Sequence, residues 1–248
     1  MKDTRVQKYM SDCGIMSRRA AEKEIEDGKV LVNGEVCSLG DKIDTEKDVV
    51  SYLGKTVCKK RGEKYTYIML NKPRGFVTTM SDEKGRRCVA ELVADAGVRV
   101  YPVGRLDRES EGLLLMTNDG ALTERLTHPR HEIPKVYRVG IAGALTNAQI
   151  RALGEPMELD GYKLAPVGIE LEDRDDERTY LIITLYEGRN RQIRRMCEKC
   201  DMEVISLKRI AIGNLTIDGV KRGKWRYLNK EEVDYLKGGQ SEEEQEER

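Results

Sequence analysis

Asp107 is the acidic residue of this sequence whose surroundings best suit a chemical role. It lies between Arg105 and Arg108, shortly before the apolar run Leu113–Thr117. That run is bounded by glycine on one side and by an Asn-Asp-Gly sequence on the other, a pattern typical of a buried strand between tight turns. A carboxylate beside two arginines at the mouth of such a strand is a candidate nucleophile or base. A cap on a turn is the alternative that the pattern alone leaves open.

A second cluster of reactive and charged side chains lies between residues 187 and 199. Five basic and two acidic residues give this segment a net charge of +3. It follows the β-branched run Thr179–Tyr186, which predicts a strand, and starts at a glycine turn into a predicted helix. The segment is therefore a candidate phosphate-binding surface. Cys197 and Cys200 lie one turn further on, and without a second cysteine pair in the chain we interpret them as packing residues.

The first 50 residues predict a small module of two helices and a hairpin. Ser17 is a plausible N-cap of the second helix, which begins with Arg18 and Arg19. Asn33-Gly34, between short apolar runs, is a strong hairpin signal. Arginines at a helix start can bind phosphate, although four acidic residues nearby also allow an ordinary charged helix face. The candidate phosphate-binding residues of this module are Arg5, Lys8, Arg18, Arg19 and Lys29.

Other patterns predict the elements that must position these side chains. Tyr65–Leu70 alternates as a strand and runs into a Pro/Gly turn that contains Lys72. A strand from Lys135 to Val139 places Lys135 and Tyr137 on one face. The acidic stretch 170–178 is predicted to be a loop, and residues 230–236 a last helix. Further helices are expected at 89–93, 121–128 and 145–153, and closing strands from residue 204.

Composition restricts the class of protein. The chain has 248 residues, of which 39% are hydrophobic and 35% charged, and no run approaches the roughly 18 apolar residues of a membrane span. The N-terminus lacks the apolar core of a signal peptide and the six cysteines are dispersed, so we expect a cytoplasmic protein with reduced thiols. Two histidines without matching cysteine or carboxylate spacing predict no metal site.

The charge distribution and the linker-like stretches suggest the domain boundaries. The net charge is zero, but the tail 241–248 carries −4, so residues 1–240 carry +4. We expect the small N-terminal module to be a domain at 1–54, followed by a polar basic linker at 55–64, a catalytic domain at 65–240 that contains Asp107, and a disordered acidic tail at 241–248.

Two long motifs resemble known families. Gly104-Arg105-Leu106-Asp107, followed by Ser110–Leu115 and Thr117–Gly120, closely resembles the catalytic motif of the pseudouridine synthases, specifically the RsuA/RluB branch that modifies bacterial ribosomal RNA. The N-terminal module resembles the S-four-like (alpha-L) RNA-binding domain. The resemblance implies an α+β fold, in which a mixed, mainly antiparallel sheet with flanking helices follows the small domain.

The resemblance also implies roles for individual residues. Asp107 would be the catalytic aspartate, Tyr137 would stack on the reacting uridine and is a candidate for proton transfer, and Ile193 would pack under the base. Arg194 would point at Asp107, and Lys72 would brace the active site from behind. The catalytic residues implied are thus Asp107, Tyr137 and Arg194, and the substrate-binding residues are Lys72, Arg105, Lys135, Arg189, Asn190, Arg191, Gln192 and Ile193.

The function implied is an rRNA pseudouridine synthase, an isomerase that needs no cofactor. We expect large-subunit rRNA or a pre-ribosomal particle as its partner, and a monomer. A small-subunit rRNA enzyme and a non-catalytic RNA-binding assembly factor remain alternatives. The residues do not choose between a covalent adduct of Asp107 and a route through a glycal.

Overall fold

The computed structural model describes residues 3–58 and 65–238, which form two compact units divided between Tyr65 and Thr66. The acidic tail and residues 59–64 of the expected linker lie outside the described residues. In the described ranges, no helix combines the length and the apolar character that crossing a membrane requires.

The first unit contains two short helices and small sheets. Its helices α1 (Val6–Asp12) and α2 (Arg18–Glu26) pack on a common apolar core that includes Val6, Met10 and Ile25. Strands β1 (Thr4–Arg5) and β4 (Lys42–Ile43) pair with each other, and four strands form a second sheet in the order β3-β2-β5-β6. These strands are β2 (Val30–Val32), β3 (Glu35–Val36), β5 (Val50–Tyr52) and β6 (Lys55–Val57).

Local signals in this unit act as the sequence predicts. The Ser17 side chain accepts a hydrogen bond from the Ala20 amide and caps α2. Asn33 and Gly34 both have positive φ and join β2 to β3. The expectation of a linker from residue 55 is wrong at its start, because β6 pairs with β5 through Val50 and Val57. Leu53 and Gly54, both with positive φ, form the hairpin turn between β5 and β6 and return the chain into the sheet.

The described residues of the second unit contain a nine-stranded sheet whose main order is β13-β14-β10-β15-β9-β7-β17. Strand β8 pairs with β9 and β16 with β15. All the pairings in this sheet are antiparallel except that of β9 with β15, so the predicted mixed, mainly antiparallel sheet is confirmed. The strands are β7 (Tyr67–Lys72), β8 (Tyr101–Pro102), β9 (Glu111–Thr117), β10 (Lys135–Ala142), β13 (Gly168–Arg174), β14 (Arg178–Leu185), β15 (Val204–Ile212), β16 (Leu215–Thr216) and β17 (Trp225–Tyr227).

Helices flank this sheet and one small hairpin stands apart from it. The hairpin consists of β11 (Glu158–Leu159) and β12 (Tyr162–Lys163). The helices are α3 (Val89–Leu92), α4 (Gly120–Thr127), α5 (Asn147–Gly154), α6 (Gln192–Lys199) and α7 (Lys230–Leu236), with a 3-10 turn at Pro129–His131. Cys197 is fully buried in the cluster formed by α5, α6 and the sheet, and burial raises its pKa to about 12, which suits packing.

The acidic stretch predicted as a loop is mostly strand β13. Its residues pair with β14 from Gly168↔Thr184 to Arg174↔Thr179. The strand is exposed along nearly its whole length because it lies at the edge of the sheet. Val167, Ile169 and Leu171 alternate with glycine and glutamate around the start of this strand, but the charged residues that follow favour a loop. Charges on an exposed edge strand discourage pairing with other chains.

The parallel pairing of β9 with β15 joins the two halves of the sheet over a very short length. Only Lys208↔Glu111 and Arg209↔Gly112 pair there, and the buried Arg209 Nε donates to the Leu113 carbonyl at 2.7 Å. Gly112 has φ of +107°, and a Cβ at this position would lie 2.2 Å from the Arg209 carbonyl oxygen. Glycine is therefore required where the two backbones meet.

Candidate active site

Asp107 lies in the loop that connects β8 to β9. The Ser110 amide donates to the Asp107 carbonyl at 3.1 Å and closes a turn immediately before β9. The Asp107 carboxylate is 32% exposed and faces a cavity of about 310 Å³. The backbone of Asp107 forms the turn considered from the sequence while its side chain lines the cavity, so a turn and a chemical role do not exclude each other.

Lys72, at the end of β7, supports the Asp107 turn from behind. Its side chain is completely buried, and Nζ donates to the carbonyls of Pro73 at 3.2 Å, Asp107 at 3.0 Å and Ser110 at 2.7 Å. Burial lowers the pKa of Lys72 to about 8, against the opposing influence of Asp107 and other nearby carboxylates. Lys72 does not line the cavity. The structure thus gives it a bracing position and not the substrate contact that was also expected.

The arginine nearest the Asp107 carboxylate is Arg191. Its Nη1 lies 3.9 Å from Asp107 Oδ2. Arg191 is the N-cap of α6 and has a left-handed backbone with φ of 50°, which costs a non-glycine residue about 1–2 kcal/mol. The rest of the protein must therefore hold Arg191 in place.

Arg194 differs from the expectation that it points at Asp107. Its Nη2 donates to the Glu109 carbonyl at 3.1 Å and its Nη1 to the Val204 carbonyl at 3.3 Å. Burial and the charge of Arg191 lower the pKa of Arg194, while Asp107 acts in the opposite direction, so Arg194 remains within electrostatic range of the carboxylate. Because α6 begins at Gln192, Arg194 lies on the first helical turn, where it fastens the backbone beside Asp107.

Tyr137 and Lys135 form the opposite wall of the cavity. Both belong to β10 and are half-buried on the same face, as the alternation predicted. Tyr137 pairs across the sheet with Arg209, which also lines the cavity. Burial, and then the charge of Arg209, lowers the pKa of Lys135. Ile193, only 4% exposed, contributes an apolar surface to the same cavity.

Residues 188–191, here called the arginine loop, connect β14 to α6 and border the cavity. Arg189 and Asn190 are exposed, and Arg105 is exposed on the Asp107 side. Gln192, at the end of this loop, is different: its amide oxygen accepts from the Arg189 amide at 3.1 Å and its nitrogen donates to Glu187 at 3.0 Å. Because Gln192 is 97% buried and bonded at both ends, the structure favours a structural role over the expected substrate contact.

Sequence reasoning missed two residues at this cavity, Glu187 and Arg209. The sequence analysis counts Glu187 only as one of the two acidic residues of the segment 187–199, and its place directly before the glycine turn is the one local signal that singles it out. Arg209 was read as part of a closing strand. Its place opposite Tyr137 depends on a pairing between residues 72 positions apart, which no local pattern encodes.

The cavity lining carries more positive than negative charge. Its acidic residues are Asp107 and Glu187, and its basic residues are Arg105, Lys135, Arg189, Arg191 and Arg209. The excess of positive charge around the cavity attracts a polyanion such as a nucleic acid, while the Asp107 carboxylate stays available for chemistry.

The basic residues of the first unit that were expected to bind RNA differ in their ion pairing. Arg18 and Arg19 are exposed at the start of α2, and Arg5 is exposed before α1. Lys8 is paired with Asp12 at 2.6 Å, and Lys29 with Asp27 at 2.9 Å and Glu24 at 3.1 Å. The start of α2 is therefore the part of this surface best able to bind phosphate.

No cluster of three or more His, Cys, Asp or Glu side chains suited to a metal ion occurs within residues 3–58 and 65–238.

Comparison with known proteins identifies the families that this chain resembles. Residues 66–199 match the family model described as RNA pseudouridylate synthase, and residues 4–50 match the S4 domain. The chain is 40% identical over 238 residues to an RNA pseudouridine synthase of Aquifex aeolicus described as uncharacterized, which covers 95% of this chain and 94% of the relative. It is also 40% identical over 236 residues to the ribosomal large subunit pseudouridine synthase B of Bacillus subtilis, covering 94% and 95%.

A solved structure is similar over nearly the whole chain. The crystal structure of a pseudouridylate synthase superposes with a TM-score of 0.67 at 29% identity, covering 94% of this chain and all of that one.

Proposed function

This chain belongs to the RNA pseudouridylate synthase family, and we propose that it isomerises one uridine of large-subunit rRNA with Asp107 as the catalytic residue. The observation that carries the proposal is the convergence of four side chains on one cavity from two loops, a helix and a strand: Asp107, Arg191, Ile193 and Tyr137. Large-subunit rRNA is proposed because a relative named for that activity matches over 94% of this chain. A ribosomal RNA substrate is consistent with the cytoplasmic location expected from the sequence.

The reaction breaks the N-glycosidic bond of a uridine, turns the base over and rejoins it through carbon five. The nucleotide must leave its helix to reach the cavity, at a cost of a few kcal/mol. Arginines at the cavity and at the start of α2 offset that cost by binding the RNA backbone. Tyr137 stacks on the extruded base, and Ile193 packs against its other face.

Asp107 then acts on the nucleotide held between these walls. A single carboxylate can add covalently, or it can remove a ribose proton on the way to a glycal, and both routes require it next to the sugar. Arg191 supplies positive charge beside the carboxylate, and Lys72 and Arg194 hold the backbone around it. The reaction is redox-neutral and transfers no group to a second molecule.

The test is incubation of the protein with unmodified large- and small-subunit rRNA transcripts. Pseudouridine is mapped by carbodiimide-dependent stops of primer extension. We expect one new stop in the large-subunit transcript. A stop in the small-subunit transcript alone would reassign the substrate, and no stop in transcripts or in ribosomal particles, with RNA binding retained, would favour an assembly factor.

Asp107→Asn tests the catalytic assignment in the same assay. The substitution keeps the size and the turn but removes the carboxylate, so we expect no product and an RNA affinity within about fivefold of the wild type. Turnover by this variant would refute the assignment. Glu170→Gln, on the exposed edge strand β13, is the matched control and should behave as wild type.

A further inference from the structure

Glu187 stands at the start of the arginine loop and makes an unusually complete set of contacts for a charged side chain. It is 11% exposed, and its Oε1 accepts from the Ala165 amide at 3.1 Å and from Gln192 Nε2 at 3.0 Å. Its Oε2 lies 3.6 Å from Arg189 Nε. A carboxylate withdrawn from water in this way is retained by specific partners.

These contacts form a closed ring around the arginine loop. Glu187 accepts a hydrogen bond from the side-chain nitrogen of Gln192. The side-chain oxygen of Gln192 in turn accepts a hydrogen bond from the Arg189 backbone N–H at 3.1 Å. The backbone N–H of Gln192 donates to the Arg189 carbonyl at 3.2 Å. The ring therefore fixes the chain on both sides of Arg191, the residue that has a left-handed backbone and reaches Asp107.

The hairpin formed by β11 and β12 supports the ring from outside. The Arg189 guanidinium lies 3.0 Å from the centre of the Tyr162 ring, and Asp160 at the hairpin turn pairs with Arg195 Nη2 at 2.6 Å. Ala165, just after the hairpin, gives its amide to Glu187. The arginine loop is thus fastened by one buried acid to a neighbouring element of the same unit.

We propose that Glu187 is a positioning residue that sets the geometry of Arg191 at Asp107 through Gln192 and the backbone of Ala165. The inference rests on the proposed function for its catalytic consequence. Two of the contacts need an acceptor at Oε1 and not a negative charge, so an amide can replace the carboxylate where alanine cannot. Loss of the ring frees Arg191 from its strained conformation and moves it from the carboxylate.

Single-turnover kinetics on the rRNA transcript separate this role from general destabilisation. We expect Glu187→Ala to lower the maximal rate constant at least tenfold while the RNA concentration at half-maximal rate changes less than threefold. Glu187→Gln should stay within threefold of wild type, as should the control Glu170→Gln. An alanine variant within threefold of wild type, or a glutamine variant as impaired as alanine, would overturn the proposal.

A double-mutant cycle tests whether Glu187 acts through Arg191. In an Arg191→Asn background, Glu187→Ala should lower the rate less than threefold further, because its target is already absent. A full tenfold effect in that background would mean that Glu187 acts by another route. Should Glu187→Ala fail to fold, Gln192→Leu opens the same ring from the other side and carries the same expectations.

Trypsin provides a measurement that does not depend on activity. Cleavage after Arg189 and Arg191, followed by mass spectrometry, should be at least tenfold faster in Glu187→Ala than in wild type or Glu187→Gln. Equal cleavage rates would overturn the positioning role even if the enzyme is active. An inactive wild type with the expected cleavage pattern would instead refute the proposed function alone.

Discussion

The buried Lys72 makes the stability of the second unit depend on pH in a way that Lys72→Met should abolish. Its folded pKa of about 8 lies below the usual 10.5 because burial disfavours the ammonium. Between these two values the unfolded chain binds a proton that the folded chain has lost. The free energy of unfolding therefore rises with pH across this window, and the contribution is lost as the pH falls toward 8.

The size of the effect follows from the two pKa values. Integrating the linkage relation from pH 7 to pH 10 gives a gain of about 2–3 kcal/mol for the wild type that the methionine variant lacks. Lys72→Met also removes the donor shared by three carbonyls, so it should be less stable at every pH, by about 1–3 kcal/mol at pH 7. The difference between the two proteins should then widen steadily toward pH 10.

Urea unfolding at several pH values measures this difference. Trp225, the one tryptophan of the chain, lies in β17 and donates to Asp95 at 2.9 Å, so its fluorescence reports on the second unit. Lys163→Met, at an exposed position in β12, is the matched control and should follow the wild type at each pH. Stability curves of wild type and Lys72→Met that stay parallel within about 0.5 kcal/mol would refute the reasoning.

Substitutions at two further positions test the parallel pairing of β9 with β15 and the left-handed backbone of Arg191. Gly112→Ala should destabilise the second unit by at least about 3 kcal/mol in urea unfolding, because the new Cβ meets the Arg209 backbone and φ is positive. Gly188→Ala is the control and should change stability by less than about 0.5 kcal/mol, because the space around its Cβ is open. Similar losses of stability in the two variants would contradict the close approach of the backbones at Gly112. Arg191→Asn and Arg191→Ala should lower the rate constant for pseudouridine formation equally, by tenfold or more. The asparagine variant should be about 1 kcal/mol more stable than the alanine variant, because asparagine tolerates the left-handed backbone better than alanine or arginine. An Arg191→Ala variant as active as wild type would show that Asp107 does not need this charge.

The predictions that succeeded depend on signals contained in a few adjacent residues. The apolar run before Asn118 became β9, Asn33-Gly34 became a hairpin, and the last helix spans Lys230–Leu236 as predicted. Each of these elements is defined by its own turn residues or its own periodicity, so neighbouring sequence suffices. The fold class and the family followed from the resemblance of long motifs.

What the sequence could not predict depends on contacts between distant segments. Whether Arg191 or Arg194 faces Asp107 is decided by where α6 begins and by the left-handed backbone before it. Glu187 gains its importance from the Ala165 amide, 22 residues earlier. Strand β13 is predicted as a loop because its many charged residues outweigh the short alternation of Ile169 and Leu171, and the pairing with β14 that makes it a strand is a contact with another segment.

The two-residue parallel pairing of β9 with β15 has a consequence for how the enzyme is made. The Leu113 carbonyl and the Arg209 side chain that meet there are 96 residues apart, so closing this loop costs about 4 kcal/mol of chain entropy beyond a constant. Asp107 lies on the β9 side of this pairing and Tyr137 on the β15 side, so the cavity that both residues line exists only after β9 and β15 have paired. A ribosome that is still synthesising residues before Arg209 therefore carries a chain that can bind RNA through its first unit but cannot modify it.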